Sequence, residues 1–375
     1  MGRNGQQGIK GGQRCVFLST QGGQREGEQE DDPAEVISSS LAVLRGAMIW
    51  GFRIIESPIF IDNDLLHGYY YYINRKESSG FCIDDKSMKY AIITNPSSGE
   101  MSAKKKREEI EKASRILHAP VYGFETNSRE EFIDLAKKVS ADCDVLVVGG
   151  GDGTFSDVIN AIDLPSNKIA FLPLGSGNAL RNALGLEGTI SEISRTILAG
   201  RVHNYDLIEC SSRRLAFMVS VGIEGVVVRL REKYLDVGIK GLQSYLIPTL
   251  DAYMRNYKRV SASVAIDGVK FGVEDLMSIM VVKQPFFGYK MKVVPNARFD
   301  DGKLHVMVIN SSFAELLFGT VSSFTIGNLI GDYYTGEDVF VETDEELYIQ
   351  IDGNVGWKAE SFEFKIRKGI LKVVH

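Results

Sequence analysis

Residues 147–160 read VVGGGDGTFSDVIN, an apolar run that passes through glycines directly into a helical pattern. Glycines allow backbone N–H groups to come close to phosphate oxygens, and the start of the following helix favours anions through its unpaired N–H groups and its dipole. A carboxylate in such a loop would itself repel phosphate, so we interpret Asp152 as a group that handles a metal ion or an acceptor hydroxyl. A turn that needs glycine only for packing is the competing interpretation, and the full string favours a phosphate-binding loop.

Two further polar, glycine-containing loops each follow an apolar run. They are residues 95–99 (NPSSG) and residues 174–178 (LGSGN). In an open parallel sheet, ligands bind outside the carboxyl ends of the strands, so the three loops predict one site at one edge. We expect Ser98 and Ser176 to donate hydrogen bonds to phosphate, and Asn178 to cap the next helix or to orient a reacting group. Either loop alone would be ordinary turn chemistry.

The chain shows two structural patterns after Met88. Strands and helices alternate over residues 88–205, which predicts an α/β domain with a mostly parallel sheet and helices on both faces. Longer β-rich stretches fill residues 206–375, which predicts a mainly antiparallel second domain whose last strands pack back on the first. Asp267-Gly268 and Lys368-Gly369 are predicted to be hairpin turns.

Residues 1–87 form an N-terminal extension of a different character. The first 33 residues are rich in Gly, Gln, Arg and Glu and contain almost no core-forming side chains, which predicts disorder. The remainder of the extension contains no motif that we can assign. Two hypotheses stay open: Met88 is the true start of the working protein, or the extension is a regulatory or membrane-facing segment.

Composition limits the partners of the protein. The net charge of −6 does not favour nucleic acid. The four cysteines form no CxxC pair, which favours a reducing, cytoplasmic compartment. The stretch 41–55 is too short and too charged to span a membrane, so we expect any membrane contact to be peripheral. The basic run 104–107 could contact phosphate or an anionic membrane surface, but its acidic neighbours favour a solvated helix face. A homodimer is a further possibility.

Three strings occur in order: NPxSG from Asn95, GGDGT from Gly150 and PxGSGNAL from Pro173. Together they resemble the catalytic domain of diacylglycerol kinases and sphingosine kinases, and the resemblance covers about residues 88–375. It implies that the α/β domain binds ATP and that the β-rich domain binds a lipid at a membrane surface. The implied reaction is ATP-dependent transfer of the γ-phosphoryl group to a lipid hydroxyl, with Mg²⁺.

The resemblance also implies individual site residues. Those expected to line the nucleotide are Asn95, Pro96, Ser97, Ser98, Gly99, Thr126, Gly150, Gly151, Asp152, Gly153, Thr154, Phe155, Ser156, Ser176 and Asn178. A magnesium ion is expected at Asp301, with the carbonyl oxygens of Arg298 and Lys303 as further ligands. Oxygen-only ligands of this kind suit magnesium.

The chain departs from the pattern of the family at its proposed proton acceptor. The family has Asp-Gly-Glu where this chain has Asp352-Gly353-Asn354, and an amide cannot take a proton. A positioned base contributes about 10²–10⁴-fold to a rate. Asn354 at this catalytic position therefore implies either weakened activity, with Asp152 as the next candidate base, or a protein that binds ligand without chemistry.

Several acceptors fit the resemblance. Sphingosine kinases carry carboxylates that contact the amino headgroup in the segment where this chain has residues 226–228 (VVV). A desolvated cation needs an acidic partner, so an uncharged, diacylglycerol-like acceptor is favoured, although Glu224 could serve a sphingoid base. NAD kinase shares the GGDGT string, and the SGNAL string favours the lipid kinases over it.

Overall fold

The computed structural model describes residues 88–375, apart from residues 97, 98, 100, 176, 240 and 242 and the side chains of residues 313 and 317. The predictions for residues 1–87, and those for Ser97, Ser98 and Ser176, lie outside the described residues. Within the described part of the chain, no helix is both long and apolar enough to cross a membrane.

The first half of the structure alternates strands and helices. Its elements are β1 (Tyr90–Thr94), α1 (Ala103–Leu117), β2 (Val121–Tyr122), α2 (Arg129–Ala141), β3 (Val145–Gly150), α3 (Asp152–Ile159), β4 (Lys168–Pro173), α4 (Ala179–Ala183) and α5 (Ile190–Ala199). The strands lie in the order β2-β1-β3-β4, and all pairs are parallel. β1 and β3 are buried along their whole length, as expected of parallel strands covered on both faces. The predicted α/β domain is confirmed.

Helices α2 and α5 begin where capping residues predict. The Ser128 hydroxyl accepts a hydrogen bond from the N–H of Glu131 at the start of α2. At the start of α5, Thr189 and Glu192 cap one another's backbone N–H groups. Such caps satisfy donors that have no partner within the helix, which is why these two boundaries can be predicted from the sequence.

The second half is mainly β structure. Its elements are β5 (Val202–Cys210), β6 (Arg214–Ala216), β7 (Met218–Gly222), α6 (Ile223–Asp236), α7 (Gln243–Asp251), β8 (Val260–Ile266), β9 (Val269–Leu276), β10 (Ser278–Val282), β11 (Leu304–Ile309), α8 (Phe313–Ser323), β12 (Asp332–Gly336), β13 (Asp338–Ile351) and β14 (Asn354–Val374). Apart from the contact of β14 with β4, the pairings of these strands are antiparallel. The predicted β-rich domain is therefore confirmed.

β14 joins the two halves into one hydrogen-bonded sheet. It pairs with β13 and with β5 in antiparallel fashion, and near its end Val373 lies opposite Ile169 of β4 in a parallel pair. The described strands therefore form a single 14-stranded sheet rather than two separate ones. This continuity fixes how the α/β half faces the β-rich half.

The predicted turn at Lys368-Gly369 is wrong. These two residues lie inside β14, which continues to Val374 with a shift of its pairing register between Arg367 and Leu371. Gly369 has a positive φ of 58° and donates its N–H to the Asp206 carboxylate. The glycine signal is thus real, but it marks an irregularity within a strand and not its end.

Candidate active site

The three glycine-containing loops meet at the carboxyl ends of β1, β3 and β4. A Cβ atom on Gly175 would lie only 2.6 Å from the Cα of Gly151, and a Cβ atom on Gly99 would lie 2.8 Å from the carbonyl oxygen of Leu174. Only glycine allows backbones to approach this closely. The loops predicted from separate strings are therefore in direct backbone contact.

A cleft opens beside these loops and contains about 1310 Å³ of empty space, including its open mouth. Among its lining residues are Asn95, Gly99, Arg129, Gly151, Asp152, Gly153, Thr154, Gly177, Phe217, Gln350, Asp352, Gly353 and Asn354. The cleft lies between the α/β half and the β-rich half. Seven of the residues that the sequence predicts for the site line it: Asn95, Gly99, Gly151, Asp152, Gly153, Thr154 and Asn354.

Asp152 connects two of the loops. Its carboxylate oxygens accept hydrogen bonds from the backbone N–H groups of Ala179 (2.9 Å) and Leu180 (3.0 Å) at the start of α4. Burial raises the pKa of Asp152 above its ordinary value, and the two hydrogen bonds only partly oppose that rise. Because both oxygens are engaged, the carboxylate holds the second and third loops in register.

Asn95 and Pro96 are held by a buried lysine. The Lys106 ammonium donates hydrogen bonds to the carbonyl oxygens of Asn95 (3.1 Å) and Pro96 (2.8 Å), and the side chain is only 1% exposed. Lys106 belongs to the basic run interpreted from the sequence as a solvated face, so for this residue the interpretation is wrong. The ammonium satisfies carbonyl groups of the loop that no regular element pairs.

Two residues expected to contact the nucleotide face the protein interior instead. Phe155 is fully buried and packs against Phe171 and Phe217. Ser156 is also fully buried and donates its hydroxyl hydrogen bond to Asp352 at 2.6 Å. They follow the phosphate loop in sequence, but the turn of α3 points them into the core. Their placement contradicts the predicted contacts.

Asp352 is a residue of the site that the sequence interpretation missed. Its carboxylate accepts from Ser156 and from the backbone N–H groups of Phe217 (3.0 Å) and Met218 (2.9 Å). Burial raises its pKa to about 6, against the effect of these hydrogen bonds. Asp352 thus ties the phosphate-loop helix to β7. The Asp-Gly pair, with its positive φ values, was the available signal.

An ion-pair cluster supports the same helix. Asp157 accepts hydrogen bonds from Arg129 at 2.5 and 2.7 Å and from Arg214 at 2.8 Å. Burial alone would raise the pKa of Asp157, but the two guanidinium groups outweigh it and the pKa lies below its ordinary value. Arg129 lines the cleft, so the cluster places a cation at its edge.

Three further predicted residues, Asn354, Thr126 and Asn178, each make a different contact. A Cβ atom on Gly153 would lie 3.2 Å from the Asn354 amide nitrogen, so this amide reaches the phosphate loop. The Thr126 hydroxyl donates to the carbonyl of Gly123. Asn178 does not cap α4 with its side chain, and its side-chain oxygen has no hydrogen-bond partner among the described residues. That oxygen is buried, close to Gly175.

A second, apolar pocket of about 990 Å³ adjoins the cleft and shares Tyr245 and Phe287 with it. Its lining includes Ile223, Val227, Val228, Leu246, Met277, Met280, Val293, Ile309, Leu316 and Ile330. Glu224 lies in its wall and accepts a hydrogen bond from the Ser278 hydroxyl at 2.7 Å. Burial raises the pKa of Glu224 to about 7.

The residues expected to bind magnesium do not fit a metal ion as they are arranged. The Lys283 ammonium lies 2.8 Å from Asp301 Oδ1 and 2.5 Å from the Lys303 carbonyl oxygen. The backbone N–H of Arg298 donates a hydrogen bond to the His305 ring at 3.2 Å. Magnesium requires ligand oxygens at about 2.0–2.1 Å, and the ammonium already occupies the space between them.

Comparisons with known proteins agree with this geometry. Residues 89–210 match the model of the diacylglycerol kinase catalytic domain, and residues 217–375 match that of the YegS C-terminal NAD kinase beta sandwich-like domain. The chain therefore belongs to the diacylglycerol kinase family and is a lipid kinase.

Individual relatives are distant but extend over most of their own length. The diacylglycerol kinase of Staphylococcus carnosus is 25% identical over 71% of this chain and 88% of its own, and that of Staphylococcus saprophyticus is 23% identical over 71% and 89%. A solved diacylglycerol kinase from Bacillus anthracis superimposes with a TM-score of 0.63 at 18% identity, covering 77% of this chain and 97% of its own. That likeness shows the shared fold.

The contact between Gly175 and Gly151 predicts the effect of one substitution. Gly175→Ala should lower the free energy of unfolding by about 1–3 kcal/mol, because the added methyl group must push the two loops apart. Chemical denaturation measures this change. Gly272→Ala is the matched control, since its φ is ordinary and a Cβ there meets no atom of the described residues within 4 Å. Equal stability of the two variants would contradict the close contact.

The raised pKa of Glu224 predicts a pH dependence. A carboxyl group with a pKa of about 7 when folded and about 4.5 when unfolded stabilises the fold only while protonated, so its contribution is lost as pH rises through 7. Between about pH 5 and pH 8, Glu224→Gln should therefore gain stability relative to wild type, by at most about 3 kcal/mol. Thermal unfolding of both proteins at both pH values measures this gain. Asp352 is present in both proteins, so its own titration cancels from the comparison. A difference that is independent of pH would contradict the prediction.

Proposed function

We propose that the protein transfers the γ-phosphoryl group of ATP, bound as its magnesium complex, to the hydroxyl group of an uncharged, diacylglycerol-like lipid. One observation carries the proposal: the polar, glycine-lined cleft and the apolar pocket share the walls formed by Tyr245 and Phe287. A phosphate donor in the cleft and an acyl chain in the pocket would thus bring their reacting ends together.

The phosphate end of the proposal rests on backbone donors. Gly151 is the N-cap of α3 and provides no side-chain cap, so the first N–H groups of this helix remain available to an anion. Gly153 and Thr154 line the cleft at this point. Arg129 lies at the edge of the cleft, where its guanidinium is paired with Asp157. Phosphoryl transfer depends mainly on such positioning and charge neutralisation.

The lipid end of the proposal rests on the character of the apolar pocket. Val227 and Val228 line it where carboxylates would be needed for a cationic headgroup. The carboxyl group of Glu224 is already hydrogen-bonded to Ser278, and its pKa of about 7 leaves it partly neutral. An uncharged acceptor avoids the cost of placing an unpaired ammonium group here, whereas a sphingoid base would depend on Glu224 alone.

The experiment that tests the proposal is incubation of the full chain with labelled ATP and Mg²⁺ and a panel of acceptors. The panel contains diacylglycerol in mixed micelles, monoacylglycerol, a sphingoid base and NAD. We expect label in the phosphorylated diacylglycerol. If the sphingoid base is labelled instead, the protein is a sphingoid-base kinase. If NADP is labelled, it is an NAD kinase. No product from any acceptor would contradict a kinase.

Asn354 predicts that the native enzyme turns over slowly. The amide lies against Gly153 but cannot accept the proton of the lipid hydroxyl, so Asn354→Glu should raise kcat by about 10²-fold or more if a base is what the site lacks. The matched control is Asn354→Gln, which has the length of glutamate but cannot accept a proton. A gain in both variants, or in neither, would show that a missing base does not limit the rate.

A surface beside the apolar pocket fits the expected contact with a membrane. One face of α8 lines the pocket through Gly319, Thr320 and Ser323. On α8 and the segment that follows, Phe318 is 57% exposed and Ile326 is 71% exposed. Exposed apolar side chains concentrated in one segment of the chain favour an interaction site. We propose that this surface enters the bilayer, so that a lipid passes from the membrane directly into the pocket.

The membrane contact predicts a loss that depends on how the substrate is presented. The double substitution Phe318→Ser with Ile326→Ser should lower activity on vesicles by about tenfold or more, because each buried apolar side chain is worth about 1.5–3 kcal/mol. Activity on a dispersed short-chain diacylglycerol should be unchanged. Val269→Ser is the control, since Val269 is equally exposed, at 71%, but lies in the β8–β9 hairpin. An equal loss on both substrates would contradict membrane docking.

A further inference from the structure

Lys283 carries a fully buried positive charge outside the cleft. It follows β10 directly, its backbone N–H donates to the Phe217 carbonyl at 2.8 Å, and its side chain is 0% exposed. Three oxygens surround its Nζ atom: Asp301 Oδ1 at 2.8 Å, Asp206 Oδ2 at 3.1 Å and the Lys303 carbonyl at 2.5 Å. An ammonium group has three N–H donors, so each donor has one acceptor.

The acceptors are themselves anchored to different parts of the chain. Asp206 in β5 accepts backbone N–H groups from Gly302 and from Gly369 in β14, both at 2.8 Å. The second oxygen of Asp301 lies 3.0 Å from the His305 ring at the start of β11. The cluster therefore ties β5, β14 and the segment before β11 to the end of β10, close to the junction of the two halves.

The three acceptor oxygens are of the kind that binds a hard cation. Two carboxylates and one carbonyl provide the oxygen atoms that divalent ions such as Mg²⁺ and Ca²⁺ prefer. All three surround the Lys283 Nζ atom at 2.5–3.1 Å, so an ion bound to the same oxygens would overlap the ammonium. Occupation by lysine and occupation by a metal exclude one another.

We propose that Lys283 is a built-in cation, which takes the position of a divalent metal ion at Asp206, Asp301 and the Lys303 carbonyl. The native protein consequently needs no metal at this position to hold these segments together. Shortening the side chain leaves two buried carboxylates and a carbonyl without their cation. The vacated space then becomes a divalent metal site.

The test compares the thermal unfolding of wild type and variants, dialysed against chelator and free of nucleotide, with and without millimolar Mg²⁺, Ca²⁺ or Mn²⁺. Wild type should show no saturable change in Tm. Lys283→Ala should have a lower Tm that rises saturably with metal, and the combination Lys283→Ala with Asp301→Asn should lose this rescue. Lys283→Met, whose methylene groups fill the space without a charge, should be destabilised and remain unrescued.

Two outcomes would overturn the proposal. The first is a saturable rise in the Tm of wild type with metal that Asp301→Asn abolishes, because the metal would then displace the ammonium. The second is a folded Lys283→Ala variant that neither binds metal in calorimetry nor gains stability from it. If that variant does not fold, the wild-type measurement alone decides whether the native position accepts a metal. Neither result depends on which acceptor the enzyme phosphorylates.

Discussion

The Asp352 carboxylate is the interaction on which the geometry of the cleft depends. It is a buried anion with one hydrogen-bond donor from α3 and two from the backbone around β7. A buried charge is tolerated only when such donors are present, so α3, which follows the phosphate loop, and β7, whose Met218 lines the cleft, must remain together. The separation between α3 and β7 is thereby fixed. β14, which begins two residues after Asp352, extends this link into the sheet.

Close backbone contact sets the shape of the phosphate side. Gly175 and Gly151 leave no room for a Cβ atom between them, and Asp152 fastens the resulting pair of loops to the start of α4. This arrangement explains why a carboxylate can lie in a loop suited to phosphate. Its charge is directed toward the N–H groups of a helix start, where anions are stabilised, and away from the space that the loop encloses.

Short sequence patterns, such as helix caps and glycine turns, predicted the parts of the structure that neighbouring residues in the chain determine. The capping of α2 and α5 and the three strand-end loops follow from capping and turn chemistry, and the structure confirms them. Contacts between distant residues left no such signal. The burial of Lys106 and the ammonium contacts of Lys283 depend on partners that only the folded sheet brings together. The same limit explains Lys368-Gly369, where a turn signal lies inside a strand.

The state of the two candidate bases constrains how the reaction can proceed. The Asn354 amide cannot accept a proton, whereas each oxygen of Asp152 receives one backbone hydrogen bond and keeps a further lone pair, so Asp152 stays the candidate base. Phosphoryl transfer makes only a moderate demand on a base, because its transition state is stabilised mainly by positioning and by neutralisation of charge on the phosphoryl oxygens. Placement of the acceptor hydroxyl then becomes the decisive requirement. Tyr245 and Phe287 form walls of both the cleft and the pocket, so under the proposed function their side chains would lie beside the acceptor hydroxyl.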